Sequence, residues 1–317
     1  MEKRPLGKTG LHIAPIVFGG NVFGWTIDEK TSFDVLDAFV DHGFNAIDTA
    51  DYYSVWAPGN KGGESETIIG RWLKARPGLR DKVHIFTKVG LDLGVPGKKG
   101  LSEKWILQAA DESLARLGVD RIDLYFSHFP DPATPFAETL GAYEKLLRAG
   151  KVRAIGASNL NAAQLAESLE VAREKSLPPY QVLQPEYNLY DRPSYDGPLR
   201  DLCIRENIGV VTYYSLASGF LSGKYRSKAD LGQSKRGEGI AKYLTDRGAA
   251  ILKVLDDIAA RHDAKPAEVA LAWLIAREGV TAPIASATRR EQVTSFARAA
   301  SLKLTPADIA ALDSASA

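Results

Sequence analysis

The sequence predicts an α/β protein, a single (β/α)8 TIM barrel forming one domain over residues 1–317. Three observations predict it. Short apolar runs rich in Val, Ile and Phe, eight in all, recur about every 30 residues. The stretches between them carry the residue spacing of amphipathic helices. No Pro/Gly/Ser-rich linker divides the chain. An open doubly wound sheet is the alternative, but the first strand–helix turn lacks the spaced glycines of dinucleotide-binding sheets.

The eight runs cover residues 13–20, 43–48, 82–88, 121–128, 152–158, 180–186, 208–214 and 281–286. Several alternate little, as strands buried on both faces do. After the first run, Phe33, Leu36, Phe39 and Val40 share one helical face over residues 31–42, and Gly43 supplies the stop. Over residues 102–118, Ile106, Ala110, Leu114 and Leu117 align in the same way behind Ser102 as N-cap. Asn161 caps a helix over 162–175, and Thr305-Pro306-Ala307-Asp308 opens a last short one. Three connections, 49–62, 89–100 and 215–246, are too long for plain turns. Each follows a strand, so a barrel places it on the C-terminal face, where barrel active sites lie.

Composition narrows the function classes. Lys and Arg number 40 against 39 Asp and Glu, so the net charge of +1 argues against nucleic acid or anionic lipid as partner. Apolar residues at 45% and charged residues at 25% match a globular chain. No apolar run approaches the roughly 18 residues of a membrane span, and Met1-Glu2-Lys3-Arg4-Pro5 does not open a signal peptide. The lone Cys203 excludes an intrachain disulfide framework or a cysteine-rich metal site. A soluble, cytoplasmic protein is the expectation.

The residues that end the runs carry the chemistry. The second run ends Ala46-Ile47-Asp48-Thr49-Ala50-Asp51-Tyr52-Tyr53, the third ends in Thr87-Lys88, and the fourth in Ser127-His128. A barrel gathers these ends on one rim. There an acid, a phenol, an amine and an imidazole suit proton transfer to an oxygen without a metal. A neighbouring ammonium favours the phenolate and lowers the tyrosine pKa. A carboxylate keeps the lysine charged and in place, and an imidazole orients a substrate carbonyl. Taken singly, His128 reads as a structural histidine, Lys88 as a lysine reaching solvent and Asp48 as a cap. Their succession at consecutive strand ends favours the catalytic reading. A metal-dependent hydrolase finds little support, because of five histidines only His128 ends a strand.

Further words complete the pattern. They are Leu6-Gly7-Lys8-Thr9-Gly10-Leu11, Leu124-Tyr125-Phe126-Ser127-His128-Phe129-Pro130, Gly150-Lys151-Val152-Arg153-Ala154-Ile155-Gly156-Ala157-Ser158-Asn159 and Gly219-Phe220-Leu221-Ser222-Gly223-Lys224-Tyr225. With the words around Asp48 and Lys88, these make the chain resemble the aldo-keto reductase superfamily over essentially its full length. The resemblance implies a barrel, its bottom closed by an N-terminal β-hairpin at about residues 3–12, that binds NADP(H) and reduces an aldehyde or ketone. Asp48, Tyr53, Lys88 and His128 match the family's catalytic tetrad, with Tyr53 as proton donor.

The same resemblance gives the nicotinamide carboxamide to Ser158, Asn159 and Gln184, whose hydroxyl and amides are donors and acceptors of the right type. It places an aromatic ring under the nicotinamide. The chain reads Tyr213-Tyr214-Ser215-Leu216 where the family commonly has Tyr-Ser-Pro-Leu, and an ungapped count back from Gly219 favours Tyr213 over Tyr214. Gly20, Ser215, Leu216, Gly219, Lys224, Ser286 and Gln292 fall at further cofactor positions. Arg289 and Arg290, at a helix start, offer charge and fork geometry to a 2′-phosphate. Trp25, Trp56, Phe129 and Phe220 fall in segments that could line an apolar substrate pocket with room for a ring. The partner expected is a small carbonyl compound, bound by a monomer or dimer. A non-catalytic regulatory subunit of the same fold is the competing function.

Overall fold

The computed structural model describes residues 1–233 and 237–317. Eight parallel strands form the barrel. They are β3 (Val17–Gly19), β4 (Ala46–Asp48), β5 (His84–Val89), β6 (Leu124–Ser127), β7 (Ile155–Ser158), β8 (Val182–Gln184), β9 (Gly209–Thr212) and β10 (Ala282–Ala285). They pair in chain order, and β10 closes the sheet by placing Ala285 opposite Phe18. Every expected run holds one strand, but the strands are shorter than the runs. The chief correction is at the start: Ile13 pairs with Arg4 in an antiparallel hairpin, β1 (Arg4–Pro5) with β2 (His12–Ile13), outside the barrel ladder.

That hairpin plugs the bottom. Leu6, Leu11 and Ile13 are buried with the inward residues of the barrel. Gly7 fits there only as glycine, since its φ is +53° and a Cβ would sit 2.4 Å from the Gly209 amide.

The helices are α1 (Glu29–Asp41), α2 (Glu64–Ala75), α3 (Glu103–Leu117), α4 (Phe136–Arg148), α5 (Ala162–Glu174), α6 (Pro198–Glu206), α7 (Asp246–Arg261), α8 (Pro266–Ala276), α9 (Arg290–Ser301) and α10 (Pro306–Ala315). Local chemistry sets their starts. Asp28 accepts the Thr31 amide at 2.8 Å, so α1 begins earlier than the apolar spacing alone predicts. Ser102 caps α3, while Asn161 with Gln164 and Thr305 with Asp308 form capping boxes on α5 and α10. The segment 215–246 carries several 3-10 turns, among them Ala217–Ser222. Among the described residues no helix is long and apolar enough to cross a membrane.

Strand alternation positions the site. Ala46, Phe86, Phe126, Val182 and Val211 point into the barrel and form an apolar layer above the plug. Two residues further along each strand direction stand Asp48, Lys88, His128, Gln184 and Tyr213. Side chains two apart share a face, so these five form the next layer toward the C-terminal rim.

Candidate active site

The turn after β4 brings Tyr53 back over Asp48. The Thr49 amide donates to Phe86 O at 2.8 Å and the Asp51 amide to Lys88 O at 3.3 Å, continuing the ladder past the strand. The Tyr53 amide then closes a turn on Ala50 O. Ser54 Oγ on Phe23 O and Asn60 Nδ2 on Gly24 O anchor the loop above. On the next strands, the His128 amide extends β6 by bonding Val89 O, and Asn159 Nδ2 holds His128 O at 2.9 Å.

Lys88 is fully buried, in contrast to the solvent-reaching lysine that its position alone suggests. Its Nζ donates to Asp48 Oδ2 at 2.6 Å, Thr49 O at 2.8 Å and Tyr53 Oη at 2.7 Å. Three donated bonds use all three protons of an ammonium. Burial lowers the Lys88 pKa, and Asp48 opposes that shift. Tyr53 in turn donates to Asp48 Oδ2 at 3.1 Å. Burial first, and the Asp48 carboxylate second, push the phenol pKa well above its ordinary value. The expected net lowering by the ammonium is thus outweighed, and the resting Tyr53 holds its proton. Burial, reinforced by Lys88, keeps the His128 imidazole well below its usual pKa and therefore neutral. Its ring meets Tyr53 edge-on at 6.0 Å.

A second layer between barrel and helices supports this cluster, and the strand-end reasoning missed it. Glu66 on α2 is completely buried. It accepts Thr87 Oγ1 at 2.5 Å and Arg116 Nε at 2.6 Å, so the strand residue preceding Lys88 is tied to two helices. Asp51 is also buried, with no hydrogen-bond partner among the described residues for either carboxylate oxygen. Burial, with Glu66 nearby, raises its pKa well above the usual carboxylate range.

A cavity of about 590 Å³ opens at the C-terminal rim above Asp48, Tyr53 and His128. Ser158, Asn159, Gln184 and Tyr213 line one wall. Ser158 Oγ donates to Gln184 O at 2.7 Å, and Tyr213 Oη to Asn159 Oδ1 at 2.6 Å. Tyr213 packs on the inward barrel residues, as the parity with Val211 requires. Tyr214 also lines the cavity but is 47% exposed, with φ at +53°. Asn188 Nδ2 and the Ala217 amide both bond its carbonyl and hold that strained conformation. Ser215, Leu216, Gly219 and Lys224 line the cavity along the turn that follows, and Ser286 and Gln292 line it beyond β10. Asn21, which sequence reasoning missed, accepts Ser286 Oγ there at 2.8 Å. Its position just after β3 is the signal that strand-end reading would have used.

Trp56 and Phe129 also line the cavity. Other expected residues stand outside that lining. Trp25 stands behind Trp56, edge to face at 5.5 Å, and is not in the lining. Phe220 is fully buried and stacks on Tyr243, because the turn that carries it directs the ring into the core. Gly20 is packing rather than lining: a Cβ there would meet Asp48 O at 2.9 Å. Arg289 and Arg290 lie at the start of α9 outside the lining. Arg290 is already engaged by Asp34 of α1 at 2.7 Å, and Arg289 reaches Glu291 at 3.8 Å.

Comparison with known proteins fits this geometry. Residues 15–317 match the Aldo/keto reductase family. The uncharacterized oxidoreductase YrpG of Bacillus subtilis is 34% identical over 96% of this chain and 92% of its own. A probable voltage-gated potassium channel subunit beta of Arabidopsis thaliana is 32% identical, over 92% of this chain and 89% of its own. L-glyceraldehyde 3-phosphate reductase of Escherichia coli is 30% identical, over 92% and 86%. A closed barrel that gathers Asp48, Tyr53, Lys88 and His128, matched over most of its length by such relatives, belongs to the aldo/keto reductase family of oxidoreductases, whose members generally use nicotinamide cofactors.

Proposed function

We propose that the protein is an NADPH-dependent reductase of aldehydes or ketones in which Tyr53 delivers the proton. One observation carries the reading: the protonated Tyr53 hydroxyl stands 2.7 Å from the Lys88 ammonium, beneath an open cavity. The residues present suit the cofactor. Asn159, Ser158 and Gln184 offer hydrogen-bonding groups for a carboxamide, Tyr213 offers a flat ring, and Lys224 offers a cation for a phosphate. When bound, the nicotinamide supplies a hydride to the carbonyl carbon. The carbonyl oxygen takes the Tyr53 proton, so aldehyde, hydride and proton balance to the alcohol. Lys88 stabilises the phenolate left behind until solvent reprotonates it. Neutral His128 orients the carbonyl oxygen without competing as an acid.

A regulatory subunit without turnover is the second reading, favoured by the likeness to the plant channel subunit. The complete set of Asp48, Tyr53, Lys88 and His128 supports turnover. NADPH oxidation with a model aldehyde, by wild type and by Tyr53→Phe, separates the two. Turnover that Tyr53→Phe abolishes supports the reductase, and no wild-type turnover supports the subunit.

A further inference from the structure

One buried acid has no task in the mechanism above. Asp51 is 1% exposed, lies outside the cavity lining and sits in the turn that carries Tyr53 back over Asp48. Its amide donates to Lys88 O at 3.3 Å, so it is fastened to the strand residue that bears the ammonium. The loop closes tightly over it, since a Cβ on Gly62 would sit 2.7 Å from Asp51 O. Neither carboxylate oxygen finds a hydrogen-bond partner among the described residues. Nor does the buried Tyr125 hydroxyl, which lies within reach of its charge.

Acids outnumber bases in this layer. Asp48, Asp51 and Glu66 are all buried, and the cations that face them are Lys88 and Arg116. Lys88 gives its three protons to Asp48, Thr49 and Tyr53. Arg116 donates to Glu66 at 2.6 Å and to Ser113 at 3.1 Å, and Glu112 approaches it from outside at 3.7 Å. On the remaining sides Asp51 faces Tyr125 of β6 and Tyr143 of α4, phenols that burial keeps protonated. Both cations are thus claimed. A buried carboxylate without a donor or a counterion of its own sheds its charge by holding a proton. Burial, then Glu66, outweigh Arg116, the Tyr52 amide and Lys88, which favour the ionised form.

We propose that Asp51 is a positioning residue for proton transfer: it stands un-ionised behind Lys88, so that Asp48 is the one carboxylate the ammonium must balance while it also serves Tyr53. A second negative charge there would oppose the phenolate that forms when Tyr53 gives up its proton. The inference rests on the reductase reading proposed above and adds to it a residue that touches neither cofactor nor carbonyl compound.

The test begins without substrate or cofactor. Asparagine matches the un-ionised acid in shape and charge, so Asp51→Asn should fold. Infrared difference spectra of wild type against Asp51→Asn should show the carbonyl stretch of an un-ionised carboxylic acid at about pH 7. Glu66→Gln should move the loss of that band to lower pH, because one carboxylate fewer faces Asp51. Urea unfolding gives a second reading. An unfolded aspartate titrates at about 3.9, so above about pH 4 folding takes up a proton at Asp51. From there the wild-type folding constant should fall about tenfold per pH unit relative to Asp51→Asn, until Asp51 ionises in the folded protein. No band at about pH 7, a band indifferent to Glu66→Gln, or a stability difference that ignores pH overturns the proposal.

Reduction of benzaldehyde with NADPH then reads the part played in transfer. The alkaline fall of kcat should begin at higher pH in Asp51→Asn, which cannot form the second charge. An unmoved limb, with band and slope as expected, confines Asp51 to packing and overturns the positioning role. No turnover by the wild type, with band and slope present, overturns the reductase reading and leaves the un-ionised acid standing.

Discussion

Gln184 Nε2 donates to Asp48 Oδ1 at 2.9 Å, linking the end of β8 to the end of β4 across the barrel. Asp48 Oδ2 meanwhile serves Lys88 and Tyr53. A residue assigned to the cofactor on resemblance therefore also fixes the counterion of Lys88. Gln184→Leu should lose turnover as well as cofactor affinity, because a buried carboxylate oxygen is left without its donor. A cost of about 1–3 kcal/mol is expected in urea unfolding. A variant that lost only cofactor affinity, at full stability and kcat, would confine Gln184 to binding.

Tyr53→Phe keeps the ring in place and removes the hydroxyl. With general acid catalysis contributing roughly 100- to 10,000-fold, kcat should fall by at least about the lower factor. Fluorescence titration should show cofactor binding close to wild type. Near-normal turnover would take Tyr53 out of the proton-donor role.

Lys88→Met removes the charge that favours phenolate, so the phenol pKa, already raised, rises further. The alkaline limb of carbonyl reduction should move to higher pH while kcat falls. The same change strands the buried Asp48 carboxylate, for which about 3–5 kcal/mol of stability is the expected loss in urea unfolding. An unmoved limb in a folded variant would remove Lys88 from control of the tyrosine.

His128 is held neutral in the folded protein, whereas an unfolded imidazole titrates near 6.5. Below about that pH the unfolded chain binds a proton that the folded chain refuses, so stability falls as pH drops. His128→Asn should flatten part of that slope in urea unfolding measured from about pH 5 to 8. A slope identical to wild type would assign the acid sensitivity to other groups.

NADPH should bind more tightly than NADH. Charge-assisted contacts contribute about 1.5–3 kcal/mol each, so Arg289→Ala should cost roughly tenfold or more in NADPH affinity alone. Arg290→Ala should cost less, because Asp34 already claims that guanidinium. Asp34→Ala, by releasing Arg290, should tighten NADPH binding and leave NADH unchanged. Equal losses for both cofactors in the arginine variants would show that these side chains support the loop instead.

Much of the site was legible in sequence because strand parity is a local rule. Asp48, Lys88 and His128 end apolar runs, Gln184 lies within one, and parity with Val211 also turns Tyr213 inward. What escaped depends on contacts between distant segments. Glu66 meets Arg116 fifty residues away, and Asp34 meets Arg290 at a separation of 256, with no spacing rule to foretell either. The direction of Phe220 stays open in sequence because a 3-10 turn has no two-residue or heptad period from which to read it. The shift of the Tyr53 phenol is beyond the sequence for a related reason: residue types announce the ammonium, while the depth of burial comes only from packing.

The alternation that sets Phe126 below His128 and Phe86 below Lys88 makes chain length, more than residue identity, the unforgiving variable here. Deleting Thr87 would send the amine into the helical layer and bring Val89 into the barrel. The loops above the rim obey no such parity. Over generations, segments such as 89–100 are free to lengthen or shrink and so to change what is reduced, while insertions and deletions are purged from the strands beneath them.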